Sequence, residues 1–516
     1  MDGRAADNSN FNLQYFMKTL LIGFILVLFT IQVFSQVTFH KLYGDTNIDV
    51  RAYAAAQTFD GGYIAAGPSY IIKTDSQGVL SWTKFINYFG CNSIKQTTDS
   101  GFVLFGTASP LGSSYTDYQI IKIDQNGNII WLKAFDSGSG NEDKGYAVSQ
   151  TLDGGFILTG DNDFPGNSGS ALIRTDGNGD TLWTRKYYDS PYGQSVIQTT
   201  DSGYVVLGIY KWFKKINKFG NTIWSKVFPL SGFSSYTYDI VQTSDGGFVI
   251  GGQTDQFGAG SIDALLIKVD SSANFQWAKT YGGIGADNVT SIDQTSDGGF
   301  VLTGVTNSYS TDLNILVVKT DATGNLLWSK VYGGSEYEYG WYIQQTIDNG
   351  FFIAGNLDTI SNGISSIYLI KTDSLGNSGC NELPHSLIQI SQNITVINYN
   401  ELDKSGFNIT SPSYSLGVGG SESTLCFSTG ILNASNTKSK LAIFPNPSSN
   451  YIEIKYGNII PSGVLTIYDS FGNTILVKQI NNSNKDNINV KTFTNGLYIL
   501  KVCTSDSILT SKFLVD

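Results

Sequence analysis

Only two histidines, His40 and His385, occur in the 516 residues. That scarcity leaves little room for imidazole metal sites or His-based acid–base chemistry. The four cysteines form no C-x-x-C pair, so neither a zinc ribbon nor a redox dithiol is supported. Charged residues make up 15% of the chain, against about 25% in ordinary globular proteins. Basic residues are outnumbered 32 to 43, for a net charge of −11. An acidic surface repels phosphate backbones, so no nucleic-acid partner is expected. Disorder is excluded as well, because 41% of residues are hydrophobic and 13% aromatic. Glycine is abundant, at 57 residues with no Gly-X-Y period, which implies many tight turns. The length predicts two to four domains.

One stretch alone is apolar enough to invite a membrane reading. Residues 17–36 run MKTLLIGFILVLFTIQVFSQ, with Lys18 ahead of a ten-residue apolar core and Val33 and Ser35 placed for cleavage before Gln36. The core is short of the roughly 20 residues a span needs. Residues 1–35 therefore read as leader and signal peptide, with Met17 the expected start if Met1 is an upstream misassignment. The mature chain is expected to be exported without a membrane span. Export makes disulfides durable, and Cys380 and Cys426, flanking one segment, are the expected pair; Cys91 and Cys503 look solitary.

Residues 36–380 are organised by a repeat. The pattern Gln-Thr-x-Asp-[Gly/Ser/Asn]-Gly-[Phe/Tyr] begins at Gln57, Gln96, Gln150, Gln198, Gln242, Gln294 and Gln345, a mean spacing of 48 residues. A second anchor ends in Asp75, Asp124, Asp176, Asn217, Asp270, Asp321 and Asp373, and in six units a Trp follows seven residues later. Around these anchors each unit reads as four strands, two of them joined by an Asp-Gly hairpin. That is the signature of a propeller blade, and seven units predict an all-β, seven-bladed β-propeller. The seventh unit lacks its Trp strand, and Phe39-His40-Lys41-Leu42-Tyr43-Gly44 matches what is missing. Strand 37–43 is therefore expected to close blade seven. If the fourth strand is outermost, Lys41, Lys84, Lys133, Arg185, Lys226, Lys279 and Lys330 guard the sheet edges.

Two of the four connections per unit vary in length, and both fall on one face, where binding usually sits. On that face an acid recurs seven positions before Gln: Asp143, Asp287 and Glu338. Two readings stand side by side: a cation or ligand site at the channel mouth, or capping of loop amides. Tyr337 and Trp341 belong to the most aromatic rim loop, suited to stacking on sugars or peptides. Calcium-loop and Asp-box matches are weak: in the run from Asp176, Thr181 stands where a calcium loop needs Gly. No catalytic residue, metal ligand or cofactor motif emerges.

Residues 381–436 are Ser-, Asn- and Gly-rich with short β-prone runs, a bridge segment. From Lys438 onward, alternating strands with Gly and Asn turns predict a small β-sandwich over 437–516. Here Phe444-Pro445-Asn446-Pro447, the strand from Leu465 to Asp469, the run Gly496-Leu497-Tyr498-Ile499-Leu500-Lys501 and the closing Lys512-Phe513-Leu514-Val515 resemble the C-terminal sorting domain of the type IX (Por) secretion system of Bacteroidetes. The resemblance implies outer-membrane translocation, with Pro445, Asn446, Pro447, Gly496, Tyr498 and Lys501 as motif residues, and the type IX machinery as partner. The functional expectation is a monomeric, secreted or cell-surface binding or adhesion module for carbohydrate or protein. A carbohydrate-active lyase or hydrolase using rim carboxylates is the alternative.

Overall fold

The computed structural model describes residues 36–515 except 45–47, 110–114, 137–141, 165–166, 189–191, 362, 399–402, 405–407, 411–415, 418–420, 429–441, 445–449, 469–473 and 505–507; in the strands between 403 and 428 it describes the backbone alone. The leader and signal segment 1–35 and the motif residues Pro445, Asn446 and Pro447 lie outside the described residues. Every regular element described is a strand, and no helix is long and apolar enough to cross a membrane. The chain divides into two units, 1–430 and 431–516.

In the first unit the strands form four-stranded antiparallel groups: 54–86, 89–136, 143–188, 193–227, 236–282 and 291–332, called here sheets one to six, and sheet seven, 337–372 with Thr38–Gly44. Sheets one and two share the long strand Leu80–Gln96, whose halves pair with Pro68–Thr74 and Phe102–Ala108. In sheet seven, Thr38–Gly44 pairs with Ser365–Thr372, Lys41 opposite Leu369, so the first described strand supplies the fourth strand of the last group.

Packing between sheets follows the same order. Apolar clusters join one to two, two to three, and so on to six and seven. A further cluster joins seven to one through Phe39, Tyr63, Phe352 and Leu369. The tryptophans explain much of this regularity. Each packs edge-on or tilted against the next sheet's Phe or Tyr at 5.4–6.5 Å between centroids: Trp82 on Phe102, Trp131 on Phe156, Trp183 on Tyr204, Trp224 on Phe248, Trp277 on Phe300 and Trp328 on Phe351. Phe39 makes the seventh contact, on Tyr63 at 5.8 Å.

The fourth strand is not the edge. The segment after residue 380 lies along the outside and adds short strands to the sheets: Ile388–Gln392 to sheet five, Ile397–Asn398 to four, Asp403–Lys404 to three, Asn408–Thr410 to two, Leu416–Gly417 to one and Ser421–Ser428 to seven. Sheet six receives a single bridge, Tyr332 to Glu382. The expected edge guards therefore have other work. Lys330 pairs with Glu382 at 2.9 Å, Lys133 with Asp180 at 2.9 Å, and Lys226 donates to Asn398 at 2.6 Å. Tertiary pairing has overridden a reading that treated each unit alone.

The second unit buries Ile452, Ile454, Leu465, Ile467, Leu500, Val502 and Phe513 in its own core. Its strands form one hydrogen-bonded sheet rather than two separate ones, because Tyr451–Tyr468 pairs along most of its length with Thr474–Asn489. A register irregularity between Lys455 and Ile460 shifts the buried positions from even to odd. A bulge of this kind bends a strand, which lets one sheet fold over a single core.

Candidate functional site

The two ends of the first strand in each sheet differ chemically. At the Gln end the same network recurs seven times. The Gln side chain accepts from a hairpin amide of the preceding sheet at 2.7–3.1 Å, and Gln57 closes the series by accepting from Ile347 of sheet seven. The hairpin Asp takes its own Thr hydroxyl and a glycine amide, as Asp297 does from Thr295 and Gly299. It also pairs with a buried Lys or Arg of the third strand: Lys73–Asp60, Lys122–Asp99, Arg174–Asp153, Lys215–Asp201, Lys268–Asp245, Lys319–Asp297 and Lys371–Asp348 at 2.5–3.0 Å. The middle turn position, with φ of 63–84°, holds Gly, Ser or Asn, residues that tolerate the left-handed region. The Gly after it is required because a Cβ on Gly62 would meet the Thr74 carbonyl at 2.1 Å. These motif residues are consumed by architecture.

The first strands themselves surround a cavity of about 830 Å³, to which all seven sheets contribute. Toward the end opposite the hairpins its wall is aromatic. Trp341 stacks on Tyr339 (5.9 Å), meets Tyr53 edge-on (5.7 Å) and donates its indole N–H to Asn356 at 2.5 Å. In sheets four and five Tyr192, Tyr210, Tyr236 and Tyr238 form a chain of ring contacts at 5.5–6.4 Å, and the last of them lines the cavity. Tyr146 and Tyr238 line the cavity, together with the amides Asn92, Gln194, Asn288 and Gln344.

Charge is confined to a few groups in this wall. Asp239 accepts from the Ile240 and Ile292 amides (2.9 and 3.0 Å) and from Ser195 Oγ (3.2 Å), which ties sheets four, five and six together. Asp293 accepts from the Gln345 amide at 2.9 Å. Burial raises both carboxyls, Asp293 to about 6, while those amide hydrogen bonds and the nearby Lys95 oppose the rise. Lys95 lies 5.7 Å over the Tyr342 ring.

Of the site residues expected from sequence, Trp341 lies in the cavity wall and Tyr337 is an exposed residue at the start of the same strand. The three acids do not line the cavity; all are buried. Asp287 accepts from the Gly283 amide (2.8 Å) and from Ser308 Oγ (2.6 Å), the capping arrangement. Glu338 Oε2 and Asn314 Oδ1 are buried without hydrogen-bond partners, and both crowd Gly333, where a Cβ would meet them at 2.7 and 1.8 Å. Burial pushes the Glu338 carboxyl up to about 8. Asp143 shares a cluster with Asp117 and Asp136, their ligand atoms within 4.8 Å of one another. Burial, with Asp136 nearby, raises Asp117 to about 6, and the ammonium of Lys186 interacts with Asp136 and Asp143. Among the described residues this is the one group of three or more His, Cys, Asp or Glu side chains whose ligand atoms lie close enough together to hold a metal ion.

Sequence reasoning missed Lys95, Asp239 and Asp293. For Lys95 and Asp293 a signal existed: the residue before the invariant Gln reads Ala56, Lys95, Ser149, Ile197, Val241, Asp293 and Gln344, the least uniform position beside the most uniform one. Six of those seven side chains line the cavity.

In the C-terminal unit, Tyr498 is buried, donates to the Thr494 carbonyl at 2.7 Å and stacks on Phe513 at 5.6 Å. Gly496 opens that strand with φ of 155°, and Lys501 stands half-buried opposite Thr466 and Thr510. Residues 442–516 match the family model of the secretion system C-terminal sorting domain. This is a type IX secretion sorting-domain protein. The sorting domain directs export to the outer cell surface or beyond, and it implies interaction with the type IX machinery. Solved structures similar to the chain include a protein of unknown function from Bacteroides caccae, at 12% identity and a TM-score of 0.32 over 57% of this chain and 93% of that one. Another is an extracellular domain described as that of a hybrid two component system from B. thetaiotaomicron, at 10% identity and a TM-score of 0.47 over 92% of this chain and 58% of that one. No curated protein matches the sorting-domain protein.

Proposed function

We propose that the seven sheets are the blades of a seven-bladed β-propeller, and that the exported protein is a binding module which takes a hydroxyl-rich carbohydrate at the aromatic mouth of its central cavity. The cyclic order of packing supports the propeller reading. The observation that carries the binding reading is the cavity wall: Tyr53, Tyr146, Tyr238 and Trp341 line it at the same position of their strands as the amides Asn92 and Gln194. Aromatic faces suit the C–H faces of sugars, and planar amides suit their hydroxyls. The cavity falls within the range that holds small ligands or the end of a chain.

Catalysis is the weaker reading. Asp239 and Asp293 are the cavity carboxylates nearest a catalytic role, and both are occupied by backbone amides of neighbouring strands. A glycan array with the purified exported protein, run beside a polysaccharide-degradation screen, separates the two. Glycan retention without cleavage, lost in Trp341→Ala, supports binding. Cleavage abolished by Asp239→Asn or Asp293→Asn would replace it with the enzyme reading.

A further inference from the structure

The strands described within residues 381–428 meet the sheets in an order that no local pairing rule requires. The segment starts on sheet six, where Gly333 donates to the Asn381 carbonyl (3.0 Å) and Leu383 to the Val331 carbonyl (2.9 Å). It then adds a strand to sheets five, four, three, two and one in turn, and finishes on sheet seven against Thr38–Gly44. It passes every sheet once, in the reverse of chain order, and returns to the neighbourhood where it began. Its early part is anchored by side chains as well. Ile394 and Val396 join the cluster between sheets four and five, Leu383 and Leu387 that between five and six, and His385 Nε2 lies 2.8 Å from Ser329 Oγ.

The two ends meet at one place. Asn381 Nδ2 donates to the Tyr368 hydroxyl at 3.5 Å, and that hydroxyl is bonded to His40 Nδ1. In the last strand of the segment, Cys426 stands opposite the same His40. Cys380 is disulfide-bonded, and Cys91 is a buried free thiol. We propose that residues 381–428 form a belt around all seven sheets, buckled to itself by a disulfide between Cys380 and Cys426, and that this buckle is a redox-dependent lock on the closed ring. An unbuckled belt can peel from either end, because each sheet holds it by a few backbone hydrogen bonds. Buckled, it is a covalent loop with every sheet inside, and no sheet leaves without breaking several pairings at once. The lock forms when the two thiols are oxidised to one cystine by exchange with an external disulfide, which is reduced to two thiols and takes up both protons. Such oxidants act outside the cytoplasm, so the ring is locked after export.

The test uses the full mature chain. A peptide map without reductant should join the Cys380 and Cys426 peptides. Unfolding in urea should run at least tenfold faster after reduction of the folded protein. Amide exchange in Ile388–Gln392 and Ser421–Ser428 should accelerate on reduction, while the inner strands stay protected. Cys426→Ser should match the reduced wild type; if it does not fold, the reduced wild type carries the comparison. A cystine joining Cys380 to Cys503 overturns the proposal, as does an unfolding rate that changes less than twofold on reduction.

Discussion

The hairpin end and the aromatic end of the seven sheets are built on the same strands, yet only one of them repeats itself. At the hairpin end each Asp, Thr, Gln and third-strand cation makes the same bonds in every sheet. At the other end Trp341 stacks on Tyr339 in one sheet, Tyr236 and Tyr238 meet tilted in another, and Asn92 and Gln194 stand in others at the position Trp341 takes. Sameness follows from one folding problem solved seven times. Difference has no such cause, and it marks the end where a ligand would be recognised.

The comparison breaks most severely if the N-terminal strand is dispensable. Deleting residues 36–44 removes Phe39 from Tyr63 and strips Ser365–Thr372 of a partner. Loss of one buried aromatic costs about 3–5 kcal/mol before the hydrogen bonds are counted. The melting temperature should fall by more than about 10 °C; an unchanged melt would detach closure from this strand. A smaller break is Asp297→Ala at the repeating end. It leaves the buried Lys319 ammonium without its carboxylate, at a cost of roughly 1–3 kcal/mol in a urea titration. The same substitution in another sheet, Asp245→Ala, should cost a similar amount, and widely different values would contradict the equivalence of the hairpins.

At the other end Trp341→Ala should weaken glycan binding about tenfold or more, the scale of losing a hot-spot aromatic, with circular dichroism unchanged. Altering the hairpin end by Gln294→Ala should leave binding intact and cost only about 0.5–1.5 kcal/mol of stability. Reversal of these two outcomes would assign the ligand to the wrong end. A further expected effect is a pH dependence. Glu338, raised to about 8 in the native state, keeps a proton that the unfolded chain loses near its ordinary value of about 4.3. Stability therefore falls as pH rises from about 4.5 to 8. Glu338→Gln should flatten that slope in melts between pH 5 and 8. The hairpin aspartates, lowered by their hydrogen bonds and cations, act in the opposite sense below about pH 4.

Much of this was legible before any coordinates. Period-two alternation, the Asp-Gly turns and the spacing of Trp after Asp are local consequences of strand geometry, so strand identity and the register of Phe39 with the missing Trp could be read directly from the chain. Tyr498 in its Gly496-to-Lys501 run carried the sorting domain in the same way. Three things were decided only by tertiary structure. Asp143, Asp287 and Glu338 share a sequence position, but burial in contact with residues distant in the chain, such as Ser308 and Asn314, set their roles. Lys95, Asp239 and Asp293 meet across one cavity because seven separate strands converge there. Which sheet each short strand between 388 and 428 joins depends on edges supplied by the other groups, and strands of two to eight residues carry too little periodicity to announce a partner. Local pattern fixes which residues form strands; which strand lies beside which is a choice among edges, and that choice exists only once the sheets do.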